Sequence, residues 1–137
     1  MQQIETRLRE RSDQILGNLD YFEETILAFS EITTLCLNNG NKLLFCGNGG
    51  SAAESQHMAA EYCATLNHHN PRKGFKAMAL SVDTSFITAW SNDFGFDGIF
   101  ARQIETLGEE GDVLICYSTS GSSKNIIQAV AEAKRKK

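Results

Sequence analysis

Three short, continuously apolar runs alternate with longer stretches in which apolar residues recur every three or four positions. The runs are Lys42-Leu43-Leu44-Phe45-Cys46, Ala77-Met78-Ala79-Leu80 and Val113-Leu114-Ile115-Cys116-Tyr117. Unbroken apolar runs of four or five residues predict strands buried on both faces, and the intervening periodicity predicts helices. Residues 2 to 17 carry Ile4, Leu8, Ile15 and Leu16 among charged neighbours, an amphipathic helix. Asp20 can cap a second helix with Phe22, Ile26, Phe29, Ile32, Thr33 and Leu37 on its apolar stripe, stopped by Asn38-Asn39-Gly40-Asn41. Further helices are predicted from Ser51 to Thr65, from Asp83 or Thr84 through Trp90, from Asp97 to Leu107, and from Ser122 to the terminus. The last should bury Ile126, Ile127, Val130 and Ala133. Asn67 to Pro71 breaks the chain, and Asn92-Asp93-Phe94-Gly95 reads as a turn.

This alternation defines an α/β chain: a parallel sheet with helices on both faces, preceded by a helical extension. The organisation is residues 1–40 as N-terminal helices and 41–137 as the sheet domain. If the winding reverses after the second strand, the first and third strands become neighbours and their following loops share one crevice. Only about three strands are present, and the third would lie at an open edge. The chain therefore reads as the first two-thirds of a larger fold.

Composition narrows the setting. Apolar residues make up 42% and charged residues 22%, the balance of a globular chain. No apolar run approaches the ~20 residues of a membrane helix, and the first fourteen residues are too charged for a secretory leader. A net charge of −4 argues against a nucleic-acid surface. The basic cluster Lys134-Arg135-Lys136-Lys137 ends a predicted helix, where cations complement the dipole. Cys36, Cys46, Cys63 and Cys116 show no C-x-x-C spacing; the expectation is free thiols in a cytoplasmic protein.

Chemistry concentrates in two loops, each between a strand and a helix. Gly47-Asn48-Gly49-Gly50-Ser51 follows the first strand and Ser118-Thr119-Ser120-Gly121-Ser122-Ser123 the third. Small residues at a helix start leave backbone N–H groups free to cradle an anion, with phosphate the usual occupant. Ser51 could equally be an ordinary cap, but five hydroxyl residues in six positions of the second loop exceed what one cap requires. His57 and Glu61 stand four apart and share a helical face. They could bind one divalent metal or transfer protons, but spacing alone favours an ordinary hydrogen-bonded or solvated pair. Asn92 and Asp93 could cap or contact a ligand. Trp90, Phe94 and Phe96 read as core or subunit interface, and His68 and His69 as solvated.

At these residues the chain resembles the sugar isomerase (SIS) domain superfamily and, within it, the sedoheptulose 7-phosphate isomerases. C-G-N-G-G-S-A-A-E-S-Q-H-M-A-A-E at 46–61, S-N-D-F-G-F at 91–96 and E-G-D-V-L-I-C-Y-S-T-S-G-S-S-K-N at 110–125 carry the likeness. It implies a flavodoxin-like sheet, a homotetramer built partly on N-terminal helices, and conversion of sedoheptulose 7-phosphate to D-glycero-D-manno-heptose 7-phosphate through an enediol. The product would feed lipopolysaccharide or capsule heptose. Carried over by position, Asn48, Gly49, Gly50, Ser51, Asn92 and Asp93 would touch the sugar, and Ser118, Thr119, Ser120 and Ser123 the phosphate. His57 and Glu61 would bind Zn2+, with Glu61 also the base. The resemblance further implies a later segment that brings more strands, a metal-ligating glutamine and a histidine. Trp90 and Ser91 stand where smaller residues are expected.

Two other readings share these loops: a non-catalytic SIS adaptor and a phosphosugar-sensing regulatory module. The adaptor branch lacks a glutamate at the position of Glu61, and no basic recognition helix precedes residue 40. Both features favour the enzyme, with no nucleic acid and no membrane as partners.

Overall fold

The computed structural model describes residues 2–65 and 67–136. The chain falls into two compact units, residues 1–34 and 35–137. In the first, α1 (Gln2–Leu16) and most of α2 (Leu19–Asn38) are regular helices. Their apolar residues are open to solvent, with Leu8, Ile26 and Ile32 each more than half exposed. Asp20 lies inside the first turn of α2 rather than before it, so it complements the helix dipole instead of capping.

In the second unit, β1 (Leu43–Gly47), β2 (Ala77–Ala79) and β3 (Val113–Tyr117) form a parallel sheet in the order β2-β1-β3. The winding reverses as expected, and Leu43 to Gly47 pair in register with Val113 to Tyr117. Helices α3 (Gly50–Cys63), α4 (Thr84–Phe94), α5 (Ile99–Leu107) and α6 (Lys124–Arg135) supply the connections.

Strand alternation sorts β1 onto two cores. Leu44 and Cys46 face Leu80, Ile99, Phe100, Ile104, Ile126 and Ala129. Leu43 and Phe45 face Cys36, Ala59 and Ala79, with Met58 and Tyr62 of α3 packed alongside. The central strand is thus buried on both sides, which is why its sequence is apolar without interruption.

At the edge where the strands begin, Asp112 ties β3 to β1. Its carboxylate accepts from the Lys42 backbone N–H at 2.9 Å and the Glu109 N–H at 2.8 Å, and pairs with the Lys42 ammonium at 2.7 Å. Burial pushes Asp112 up, but the bonds from Lys42 and Glu109 outweigh it and hold the carboxyl below the usual range.

Several boundaries differ from expectation. Residues 92–94 form the last turn of α4, not a separate turn, because Phe86, Trp90 and Phe94 stack at four-residue intervals along it. Asp97 sits in a short 3-10 turn, Phe96–Gly98, and α5 begins after it. Ile127 is 53% exposed, and Ala129 takes the buried place instead. The apolar stripe of α6 is one position narrower than read. Phe94 and Phe96 are exposed. Lys137 of the basic cluster lies outside the described residues.

Candidate functional site

Both glycine- and serine-rich loops emerge from the same end of the sheet, side by side, because Gly47 pairs with Tyr117. Gly47 is required by close approach: a Cβ there would meet the Ser51 carbonyl oxygen at 2.5 Å. Gly49 holds a φ of 57° at the N-cap of α3, which non-glycine residues rarely adopt. The cap is therefore backbone geometry, and Ser51 sits one residue inside the helix instead of capping it.

The two loops are stapled by an amide pair. Asn48 Nδ2 donates to Asn125 Oδ1 at 2.9 Å, and Asn125 Nδ2 donates back to Asn48 Oδ1 at 2.8 Å. Asn125, in the first turn of α6, is buried. Each amide still has a second lone pair and a second N–H for other partners. Asn125 was not singled out by sequence reasoning, although it closes the S-T-S-G-S-S-K-N motif.

In the second loop Ser118 Oγ accepts from the Gly121 backbone N–H at 3.0 Å, and Ser120 Oγ accepts from the Ser122 N–H at 3.3 Å. Ser123 occupies the N-cap of α6 without a side-chain cap bond, so its hydroxyl stays available. Thr119 and Ser120 are exposed. The result is a run of hydroxyls beside the helix-start amides of α6, groups of the kind that bind anions. Asp97 pairs with Lys124 at 3.6 Å, which sets the turn after Asn92 and Asp93 against the start of α6. Asn92 donates to the Asp93 carboxylate at 2.8 Å, and both are exposed. Trp90 Nε1 and Ser91 Oγ nearby are buried without a hydrogen-bond partner.

His57 and Glu61 do not join this rim. Helix α3 starts beside Gly47 and descends until the Cys63 thiol donates to the carbonyl of Ala77, the first residue of β2. Glu61 lies eleven residues after Gly50, about 16 Å along the helix, near the edge where the strands begin. Arg72 caps that end of α3 through the Glu61 and Tyr62 carbonyls. Ala59 is the buried face of the helix, so His57 and Glu61 share the opposite one. His57 is exposed and Glu61 half-buried. Together they offer two donors where zinc takes three or four. Among the described residues no group of three or more His, Cys, Asp or Glu could hold a metal. The residues present therefore do not fit a complete zinc site.

The reversed winding makes this a doubly wound α/β domain with two small-residue loops side by side at its strand ends. Residues 9–137 match the SIS domain family model. The chain belongs to the SIS-domain family. It is 46% identical to the phosphoheptose isomerase of Akkermansia muciniphila over 90% of its own length and 67% of the relative's. It is 44% identical to that of Geobacter metallireducens, covering 96% of this chain and 69% of the relative. Among solved structures it superposes on phosphoheptose isomerase GmhA from Neisseria gonorrhoeae with a TM-score of 0.75 at 38% identity, covering 97% of this chain and 70% of that one. A phosphoheptose isomerase from Francisella tularensis gives 0.70 at 36% identity, with 90% and 71% covered. The chain thus spans about two-thirds of the length of these relatives.

Proposed function

We propose that this chain acts in ketose–aldose isomerisation, converting sedoheptulose 7-phosphate to D-glycero-D-manno-heptose 7-phosphate in the cytoplasm, as part of a homotetramer. The observation that carries the reading is the convergence of the two strand-end loops, joined by the Asn48–Asn125 amide pair. Ser118, Thr119, Ser120 and Ser123, with the first amides of α6, take the phosphate. Asn48, Gly49, Gly50, Ser51, Asn92 and Asp93 line the path of the sugar hydroxyls.

The reaction moves one proton between C1 and C2 through an enediol, and one carboxylate can lift and return it. Glu61 is assigned that task. His57, one turn away on the same face, is placed to orient it or to serve a hydroxyl. Because the Glu61 face and the loops lie at opposite ends of α3, one chain does not bring them together. A second copy, offering its Glu61 face to these loops, completes the site. No step is routed through zinc: His57 and Glu61 would be two of its ligands, and others must come from outside the described residues. Four cysteines without C-x-x-C spacing fit the reducing setting this reading assigns.

The test is incubation with sedoheptulose 7-phosphate in deuterated water, followed by NMR. The expected result is aldose heptose 7-phosphate with deuterium at C2. Failure to form aldose or exchange deuterium, in an oligomer shown to bind the substrate, would overturn the reading. Glu61 counts against the adaptor alternative, and residues 1–40 offer no basic recognition helix to favour the sensor.

A further inference from the structure

The parallel register of β1 and β3 sets Cys46 directly beside Cys116. Both side chains turn into the same core, with Leu44, Leu80 and Ile126 around them. Their sulfurs lie 3.4 Å apart. Each cysteine is the penultimate residue of its strand, so the pair sits just beneath Gly47-Asn48 on one side and Tyr117-Ser118 on the other. The isomerase chemistry uses neither thiol.

We propose that Cys46 and Cys116 form an oxidation site, a dithiol that closes to a reversible intrachain disulfide tying β1 to β3 below the two loops. Adjacent strands are about 4.8 Å apart, within the ~4.4–6.8 Å between Cα atoms that a disulfide tolerates. Closure requires the sulfurs to approach to about 2.05 Å, a small side-chain movement with the backbone already in place.

The two thiols are not equivalent. Cys46 is fully buried, while Cys116 is half-buried on the edge strand of the described sheet. The two sulfurs share one hydrogen bond, in which either thiol can be the donor; with Cys46 donating, that bond outweighs burial and holds Cys116 below the usual thiol value. The same bond, with burial, pushes Cys46 up. Cys116, the more exposed of the two and on the edge strand, is the sulfur an oxidant reaches and so the attacking one.

With a hydroperoxide as oxidant, the Cys116 thiolate attacks one oxygen of the O–O bond. A sulfenic acid forms, and the other oxygen leaves as hydroxide. The Cys46 sulfur then attacks the Cys116 sulfur, the S–O bond breaks, and the departing hydroxide takes up the Cys46 proton as water. Two thiols lose two electrons and two protons, and one hydrogen peroxide becomes two waters. An external dithiol reverses the bond by exchange.

The experiment treats the reduced full chain with hydrogen peroxide, blocks remaining thiols with iodoacetamide, and maps peptides by mass spectrometry. Exposed Cys63 reports within the same sample that oxidant was effective. The expected result is a peptide pair joined through Cys46 and Cys116, lacking two hydrogens and released by dithiothreitol. The Cys63→Ala variant should retain this cross-link and Cys46→Ser should lose it. Recovery of both Cys46 and Cys116 as alkylated thiols in a sample whose Cys63 is oxidised would overturn the proposal. So would Cys116 sulfinic acid beside alkylated Cys46. The wild-type map decides even if Cys46→Ser does not fold.

Discussion

Asn48 and Asn125 are 77 positions apart in sequence yet share two hydrogen bonds. Removing one amide leaves the other partly buried and unsatisfied, a cost of about 1–2 kcal/mol. Asn125→Ala should therefore lower unfolding stability by that amount in urea titration. It should also raise KM for sedoheptulose 7-phosphate more than it lowers kcat, since the pair positions both loops for binding. Asn48 was legible in the sequence because it sits inside a glycine loop; Asn125 was not, because an asparagine opening a helix has an ordinary capping explanation. A second residue-scale effect concerns Asp112, whose side chain is 5% exposed. Its folded-state value is below the unfolded one, so it stabilises above the unfolded carboxyl range near ~3.9. That contribution is lost as pH falls through the folded value. Asp112→Asn should cost about 1–3 kcal/mol at neutral pH, and its thermal midpoint should fall less on acidification than the parent's. An equal acid dependence for both would remove Asp112 from this role.

The elements were largely readable because β1 is buried on both faces and periodicity changes sharply where it gives way to a helix. What the sequence misplaced were ends and faces. Asn92 and Asp93 have turn chemistry, yet aromatic stacking from Phe86 through Trp90 to Phe94 carries α4 over them. Ile127 fits a broad apolar stripe, but the space beneath α6 admits only Ile126, Ala129 and their flanks. At the β1–α3 junction the constraint is steric. Gly47→Ala places a methyl against the Ser51 backbone, where relief demands movement of the helix start. A loss of about 1–3 kcal/mol should accompany weakened binding of sedoheptulose 7-phosphate, read by calorimetry. An alanine variant with parental stability and affinity for the sugar phosphate would show that the close approach is not needed.

At the scale of the whole molecule, the sheet brings together the two glycine- and serine-rich loops that the sequence singled out, but separates them from His57 and Glu61. Linear spacing could not reveal that separation, since the loop and the acid share one short motif at 46–61. Only the direction of α3, running from Gly47 toward the start of β2, places them at opposite rims. Leu8, Ile26 and Ile32 leave apolar surface exposed on α1 and α2, which the proposed function assigns to contact between copies. Mixed oligomers test this most directly. Glu61→Gln and the double variant Ser120→Ala, Ser123→Ala are each expected to lose turnover at substrate levels the parent converts. Co-expressed in one cell and purified as heteromers, they should regain isomerisation of sedoheptulose 7-phosphate, because some interfaces then join an intact loop to an intact Glu61. Heteromers of verified mixed composition that remain as inactive as either parent would contradict the account.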